Sequence, residues 1–245
     1  MASSAEHRTV SRVTAILEAA AAAAATGRGG VRLSELCAAL DAPKSSVHGL
    51  VHGLIATGYL AEADGGAGYV LGPAAGALLA TPQPPLVQLA RPMLEQLRDE
   101  FDETVTLGRP VGDSMVYLDT AESRQVLRYS PPLHVRRPLY PTSAGKVALA
   151  HRSAARRAAY LAREFADPGR RADAEAVLTA VQAEGVAYNR GETLPDISAA
   201  ACGVFVGNRL AAAVAIAGPT TRMAALLDEA AARLKSATAD LSARL

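Results

Sequence analysis

Residues 41–58, DAPKSSVHGLVHGLIATG, decide how the first part of this chain folds. Pro43 lacks an N–H and has a fixed φ, so it suits the first turn of a helix. The apolar residues that follow recur at three- and four-residue steps: Val47, Leu50, Val51, Leu54 and Ile55. The polar residues fall on other faces: Lys44, Ser45, Ser46, His48 and His52. The stretch therefore predicts an amphipathic helix that presents small polar and basic groups.

A shorter helix is predicted just upstream, over Leu33–Leu40, with Ser34 as its N-cap. Two helices joined by a tight turn are typical of a helix-turn-helix, although any helical hairpin can show this spacing. Downstream, residues 59–62 and 68–71 flank Asp64-Gly65-Gly66, which favours a β-hairpin. A hairpin directly after such a helix indicates a winged helix-turn-helix. The alternative is a hairpin that only covers the core.

Length and charge set the outer bounds on function. The 245 residues are enough for one large domain or two ordinary domains with a buried core. Within residues 1–85, five basic residues oppose six acidic ones, which gives a net charge of −1. This balance argues against DNA binding, because counterion release by basic residues drives much of the affinity of such domains. The basic residues are concentrated at the N-terminal arm and the helix heads, however, and a dimer would double them.

The cysteines and the hydropathy pattern bear on the compartment. Cys37 and Cys202 give neither a metal-binding spacing nor a disulfide framework, which is consistent with a reducing cytoplasm. The sequence has no apolar run long enough for a membrane span and no signal-peptide pattern. We therefore expect a cytoplasmic protein with no membrane partner.

Characteristic strings run along almost the whole chain: Leu33-Ser34-Glu35-Leu36, Pro43-Lys44-Ser45-Ser46-Val47-His48, Gly58-Tyr59-Leu60, Pro141-Thr142-Ser143-Ala144-Gly145-Lys146, Gly191-Glu192 and Ala215-Ile216-Ala217-Gly218-Pro219. In this order they resemble the IclR-type bacterial transcriptional regulators. The resemblance implies an α+β chain with a winged helix-turn-helix domain (1–72), a linker helix (within 73–85) and a GAF-like α/β effector-binding domain (86–245). It also implies a homodimer or dimer of dimers that binds double-stranded operator DNA.

One position departs from the resembled pattern, because Gly49 stands where the family commonly carries an arginine. The arginine would contact phosphate or base edges, so its loss weakens the predicted surface and loosens the helix by about 1 kcal/mol. We assign DNA contacts to the following residues: Arg32, Lys44, Ser45, Ser46, His48 and His52. Gly49 and the charge of −1 leave a second hypothesis open, which is a metabolite-binding sensor with weak or lost DNA binding.

In the second half of the chain the apolar period changes from helical to alternating. Antiparallel strands are predicted over residues 104–109 and 114–119, and residues 125–129 are expected to continue the sheet. A helix is predicted over Ser143–Ala150, and two later strands flank a turn at Gly207-Asn208. These elements make up the predicted effector-binding domain.

The start of the helix at Ser143 is the predicted ligand site, because helix N-termini present unpaired N–H groups to anions. The resemblance implies a pocket built from this helix, two strands and two rim residues, Tyr129 and Asn189. The full set is Tyr129, Ser143, Ala144, Gly145, Asn189, Ile197, Ala199, Ala215 and Ala217. The alanines predict a roomy apolar floor, and hence a carboxylate, ester or lactone with an apolar body. The alternative is that these alanines only pack the sheet.

Two patterns resemble catalytic motifs but are incomplete. Ala144-Gly145-Lys146 lacks the first glycine and the final Ser or Thr of a phosphate-binding loop. Cys202 could act as a nucleophile with His134 or His151 as its base, but no residue that would orient the histidine is identifiable. A role as a small, buried apolar side chain explains Cys202 better. We therefore expect no cofactor, no metal and no catalysis, and we favour a transcriptional repressor controlled by a small organic effector.

Overall fold

The computed structural model describes residues 7–63, 68–79 and 85–245. The chain divides into two compact units, Met1–Pro82 and Gln83–Leu245. Both units combine helices with antiparallel strands, which confirms the predicted α+β class. The predicted three-part division, 1–72, 73–85 and 86–245, stays a prediction.

The first unit contains three helices, a two-stranded hairpin and a short fourth helix. Its elements are α1 (Arg8–Ala25), α2 (Leu33–Leu40), α3 (Lys44–Ala56), β1 (Leu60–Glu62), β2 (Tyr69–Leu71) and α4 (Pro73–Leu79). The strands pair antiparallel with Leu60 opposite Leu71, and Val31 forms a single bridge to Tyr69. The predicted turn at Asp64-Gly65-Gly66 lies outside the described residues. The described elements follow the predicted order of helix, turn, helix and wing.

The core of this unit explains the apolar spacing of the opening stretch. Val47 and Val51 of α3 are fully buried, in one cluster with Ile16 of α1 and Leu36 of α2. Burial of one such side chain contributes about 1.5–3 kcal/mol to folding. Because the inward positions repeat with the helical period, the polar residues between them are directed away from the core.

Helix α2 is capped differently from the prediction. Its first residue is Leu33, so Arg32 occupies the N-cap and Ser34 lies inside the first turn. The Glu35 carboxylate accepts a hydrogen bond from the Arg32 backbone N–H at 2.7 Å and pairs with Arg28 at 3.0 Å. The Arg32 N–H, followed by the Arg28 charge, lowers the pKa of Glu35. The N-cap prediction was wrong because Glu35 reaches back to the helix start, so a capping hydroxyl is not needed.

The second unit is built on a six-stranded antiparallel sheet. Its elements are α5 (Pro85–Phe101), β3 (Thr104–Val111), β4 (Ser114–Ala121), β5 (Arg136–Pro138), α6 (Ser143–Ala150), α7 (Ala154–Glu164), α8 (Pro168–Glu184), β6 (Val186–Arg190), β7 (Ile197–Val206), β8 (Arg209–Pro219) and α9 (Thr220–Ser242). The strand order is β5-β4-β3-β8-β7-β6. The predicted helix at Ser143–Ala150 and the strand pair around Gly207-Asn208 are both present.

Helices cover both faces of this sheet. Side chains of α5 and α9 pack on one face, in a cluster that includes Ala200 and Cys202 of β7. Side chains of α6, α7 and α8 pack on the other face with Ala201 of β7 and Ala213 of β8. Successive strand residues point to opposite faces, so the alanines at alternate positions leave room for α6 to approach the sheet.

The segment expected to continue the sheet at residues 125–129 is a loop. Side chains bind its backbone in place of a strand partner: the Ser123 hydroxyl accepts from the Gln125 N–H at 3.1 Å, and Arg222 donates to the Leu127 carbonyl at 2.9 Å. The only strand that pairs with the outer edge of β4 in the described chain is β5. The strand prediction was wrong because Val126 and Leu127 have no sheet surface to cover, and both are exposed.

Candidate DNA-binding helix and effector cavity

Helix α3 has a buried side and an exposed polar side. Val47, Val51 and Leu54 face the core, whereas the residues assigned to DNA on this helix are all exposed: Lys44, Ser45, Ser46, His48 and His52. The imidazole rings of His48 and His52, one turn apart, have centroids 4.3 Å from each other. The structure therefore brings five of the six assigned residues onto one helix, with their side chains accessible to a partner.

Arg32 is the sixth assigned residue, and it lies on a different element. It is exposed at the N-cap of α2, where its backbone is held by Glu35. On α3 itself, Gly49 and Gly53 have open space where a side chain would start. A larger side chain at position 49 would therefore extend into open space on the surface of α3, and no packing constraint requires glycine there.

Helix α6 begins at Ser143 with a cap of its own. The Thr142 hydroxyl accepts the Gly145 N–H at 3.1 Å, and the Thr142 carbonyl accepts the Lys146 N–H at 2.8 Å. A Cβ on Gly145 would fall 1.9 Å from the Leu139 carbonyl oxygen. Gly145 is thus required for close packing, and its N–H is already used by the cap.

A cavity of about 30 Å³ lies between the first turn of α6 and the sheet. Its floor is formed by Ala199 of β7 and by Ala215 and Ala217 of β8, which lie on the α6 side of the sheet. Thr106 of β3 is paired with Ala215 and also lines the cavity. A water molecule needs roughly 10–15 Å³ by the same measure, so the cavity has room for only about two water molecules.

Seven of the nine residues predicted for the effector pocket line this cavity: Tyr129, Ser143, Asn189, Ile197, Ala199, Ala215 and Ala217. Ala144 and Gly145 lie on the same helix but do not line it. Sequence reasoning missed five lining residues: Thr106, Tyr117, Thr142, Thr193 and Leu194. The alternation of Thr104 and Thr106 along β3 is a signal that could have found one of them, because it places both side chains on one face.

The walls of the cavity are more polar than the alanine floor suggested. Thr106, Tyr117, Tyr129, Thr142, Ser143 and Thr193 all carry hydroxyl groups. Burial, followed by the neighbouring Tyr129, raises the pKa of Tyr117, so its hydroxyl stays neutral at ordinary pH. The expected roominess is also absent, because the volume is only about 30 Å³. The cavity therefore combines a short apolar floor with neutral hydrogen-bonding walls.

Asn189 was expected at the rim, but it is buried. Its amide nitrogen donates to the Pro141 carbonyl at 2.9 Å and to the Thr193 hydroxyl at 2.6 Å. Its amide oxygen accepts the Glu192 N–H at 3.2 Å. The rim prediction was wrong because Asn189 holds two segments of the cavity wall together, which occupies both of its N–H donors.

An ion pair between a buried lysine and an exposed glutamate lies behind this wall. The Lys146 ammonium on α6 is 2.6 and 2.7 Å from the two carboxylate oxygens of Glu192, and it donates to the Tyr188 carbonyl at 2.8 Å. Desolvation lowers the pKa of Lys146, and the Glu192 carboxylate opposes that shift. Because Thr193 and Leu194 follow Glu192 directly, the ion pair anchors the loop that closes one side of the cavity.

Residues 7–63, 68–79 and 85–245 contain no group of three or more His, Cys, Asp or Glu side chains able to hold a metal ion. Across the same residues no helix has the length and apolar character needed to cross a membrane.

Comparison with known proteins identifies the two units. Residues 9–64 match the family model described as the IclR helix-turn-helix domain. Residues 79–243 match the model of the bacterial transcriptional regulator IclR C-terminal domain. The chain belongs to the IclR family. It is a transcriptional regulator of this family, with a DNA-binding helix-turn-helix and a C-terminal effector domain, which confirms the resemblance drawn from the sequence strings.

Individual relatives support the same assignment. The chain is 30% identical to the HTH-type transcriptional regulator BhcR of Paracoccus denitrificans over 79% of its own length and 73% of that protein. It is 36% identical to the HTH-type transcriptional regulator TtgV of Pseudomonas putida, in a match that spans only 49% of this chain and 47% of TtgV.

Two solved structures share the fold of the full chain. An IclR family transcriptional regulator from Brucella abortus superposes with a TM-score of 0.77 at 20% identity, over 98% of this chain and 94% of that chain. An IclR homolog from Microbacterium hydrocarbonoxydans, complexed with 4-hydroxybenzoate, has a TM-score of 0.76 at 18% identity, over 96% and 98% of the two chains. At these identities the likeness concerns the fold.

Proposed function

We propose that this regulator is a cytoplasmic repressor, whose α3 helix reads operator DNA and whose cavity beside α6 binds a small organic effector that releases the DNA. The single observation that carries the DNA part is the exposed polar side of α3, which has Lys44, Ser45 and Ser46 at its head. A helix of this kind contacts phosphates and base edges when it enters the major groove. We expect Lys44 to contact phosphate, with His48 and His52 deeper in the groove.

The cavity supports an effector with one polar end and an apolar body. The hydroxyl of Ser143 at the head of α6 suits a carboxylate, ester or lactone oxygen, while the alanine floor suits carbon atoms. The volume of about 30 Å³ is too small for a ring. We therefore propose that effector entry moves the loop carrying Tyr129, whose carbonyl is held by the Thr104 hydroxyl at 2.6 Å. The Microbacterium homolog with bound 4-hydroxybenzoate encourages a search among aromatic acids.

The effector proposal can be tested with DNA fragments from upstream of the protein's own coding sequence. In gel shifts, the free protein should retain one such fragment, and aromatic or medium-chain acids should release it. Calorimetry should rank those acids above glyoxylate and pyruvate, which have little apolar surface to bury. Tight binding of pyruvate with no response to any larger acid would show that the floor has been misread. A protein that binds acids but retains no fragment would favour the sensor hypothesis with lost DNA binding.

We also propose that the active form is at least a dimer, joined through α1 and the segment at residues 73–85. Two modules at fixed spacing would supply the affinity that a half-site cannot, since this module carries few basic residues. Val10 on the outer side of α1 is 60% exposed and would be covered in such an assembly. Sedimentation should give a dimer or tetramer at micromolar concentration. A monomer, both alone and with DNA, would contradict this proposal.

A further inference from the structure

A second cavity, of about 380 Å³, lies at the β5 edge of the sheet and is separate from the effector cavity. It is an open cleft lined by β5, by the turn between β3 and β4, and by the last turns of α7. The lining residues are Asp113, Ser114, Arg136, Arg137, Pro138, Tyr160, Arg163 and Glu164. None of these residues lines the effector cavity, and none belongs to the DNA-binding helix.

Arg137 lines this cavity, and its guanidinium forms no ion pair with the described residues. Its Nε–H is buried and is the one such side-chain atom without a hydrogen-bond partner in the described ranges. Its guanidinium carbon lies 5.2 Å from the centre of the Tyr117 ring. No carboxylate of the described residues lies within ion-pair distance of it, and an unsatisfied buried donor is uncommon in folded proteins.

The carboxylates near Arg137 do not supply the missing partner. Asp113 accepts from Arg152 at 2.7 Å and also from Arg163, so its two oxygens are already shared between two arginines. Glu164 is exposed at the outer edge of the cavity. Arg137 therefore lines, together with Arg163, an open cavity of a size suited to a small solute.

We propose that this cavity is a second binding site, which holds a small oxyanion on the Arg137 guanidinium. Arginine presents a planar set of donors that matches the oxygens of a phosphate or a carboxylate, and the charge strengthens those hydrogen bonds. Arg163 and Ser114 also line the cavity and can complete the shell. The anion is thus a phosphate or carboxylate group of a small solute.

The location of Arg137 connects this site to the effector cavity. Tyr117, the ring that Arg137 contacts, is also a wall residue of the effector cavity. An anion that draws the guanidinium towards the second cavity would change the support of that ring. Binding of an anion at this site can therefore change the wall of the effector cavity through Tyr117. The proposed site does not depend on which effector the protein binds.

The test is calorimetric titration of the full-length protein with inorganic phosphate and, separately, with succinate, at an ionic strength held constant with sodium chloride. The two probes distinguish a phosphate site from a carboxylate site. We expect saturable binding of at least one probe with a Kd of about 1 mM or tighter. Arg137→Gln should weaken that binding about tenfold or more, because a charge-assisted hydrogen bond is lost. The control is Arg156→Gln, an exposed arginine on α7 outside the cavity, which should leave binding unchanged.

A second measurement avoids the variant altogether. In ¹H–¹⁵N spectra of the wild-type protein, the buried Arg137 Nε–H signal should shift along the same titration. Failure of both probes to bind the wild-type protein would overturn the proposal. Equal affinity in Arg137→Gln and the wild type, or an Arg137 signal that does not move while a probe binds, would overturn it as well.

Discussion

Helices α3 and α6 begin with similar residues but are placed in opposite surroundings. The first starts with Lys44, Ser45 and Ser46, and all three side chains are exposed. The second starts with Ser143 and carries Lys146 one turn later, and all eight of its residues are buried. Lys44 has no bonding partner in the described chain, whereas Lys146 is locked to Glu192.

The difference shows that residue type alone does not assign a role to a helix head. An exposed head with uncommitted donors can meet the phosphates of a macromolecule. A head enclosed by the sheet, Thr142 and the Lys146–Glu192 pair can meet only a solute small enough to enter. The same kind of substitution should therefore affect folding when it is made at α6 and DNA binding when it is made at α3.

The largest expected effect is on folding, from Glu192→Ala. This change leaves the buried Lys146 ammonium with only the Tyr188 carbonyl, and we expect the free energy of unfolding to fall by about 2 kcal/mol, less than for a fully buried pair because the Glu192 side chain is 37% exposed. Glu95→Ala removes a partner from the exposed Arg91 pair and should cost only about 0.5 kcal/mol. Urea denaturation measures both values. If both variants lost the same free energy of unfolding, the burial of Lys146 would not be the cause of the larger expected loss.

The loss in Glu192→Ala should also depend on pH. Burial already lowers the pKa of Lys146 below its ordinary value of 10.5, and removal of the carboxylate lowers it further. Between the folded and unfolded pKa values the unfolded chain binds more protons, so stability rises with pH in that window. The deficit relative to the wild type should therefore shrink as the pH is raised from 7 towards 10. A deficit that is constant across this range would argue against a buried charge as its cause.

The next effect in size concerns the cavity beside α6. Ala215→Leu should fill it and abolish the effector response, at a folding cost of about 1–3 kcal/mol from overpacking. Ala213→Leu is the matched control, because Ala213 is buried two residues away on the same face of β8 and does not line the cavity. Effector-induced shifts in melting temperature compare the two variants. A response that survives in Ala215→Leu would place the effector elsewhere.

A smaller effect is expected on α3 from a side chain added at Gly49. Gly49→Ala should stabilise the unit by about 1 kcal/mol through helix propensity, since open space surrounds this position. Gly49→Arg should give a similar gain and, in addition, tighten DNA binding and steepen its salt dependence. The alanine variant separates the two contributions. If both variants bind DNA with the same affinity, position 49 does not face the DNA.

The sequence predicted the elements whose determinants are local. The spacing of Val47, Val51 and Leu54 is enough to place α3, because one helix face must be apolar wherever it packs. The helix at Ser143–Ala150 and the turn at Gly207-Asn208 were placed for similar reasons. The family resemblance predicted seven of the cavity-lining residues. It indicates which positions line the cavity but not the size and polarity of the space between them.

The failures concern features set by distant parts of the chain. The loop at residues 125–129 depends on Arg222, which is far away in sequence. Asn189 is buried because Pro141 and Thr193 lie on either side of it, and neither contact follows from spacing along one strand. Tyr117 and Tyr129 line the cavity together, and their strand and loop meet only after folding. Local patterns specify elements, whereas the contents of a cavity depend on how the elements meet.

The most direct test of the central claim is the salt dependence of operator binding by Lys44→Ala. If α3 is the reading helix, the variant should bind all DNA sequences more weakly, and its slope of log affinity against log salt should fall by about one per protomer. Lys235→Ala, an exposed lysine on α9 of the second unit, is the matched control and should leave the slope unchanged. Unchanged affinity and slope in Lys44→Ala, for a footprinted operator that the wild type binds, would contradict the assignment of α3 as the DNA-binding helix.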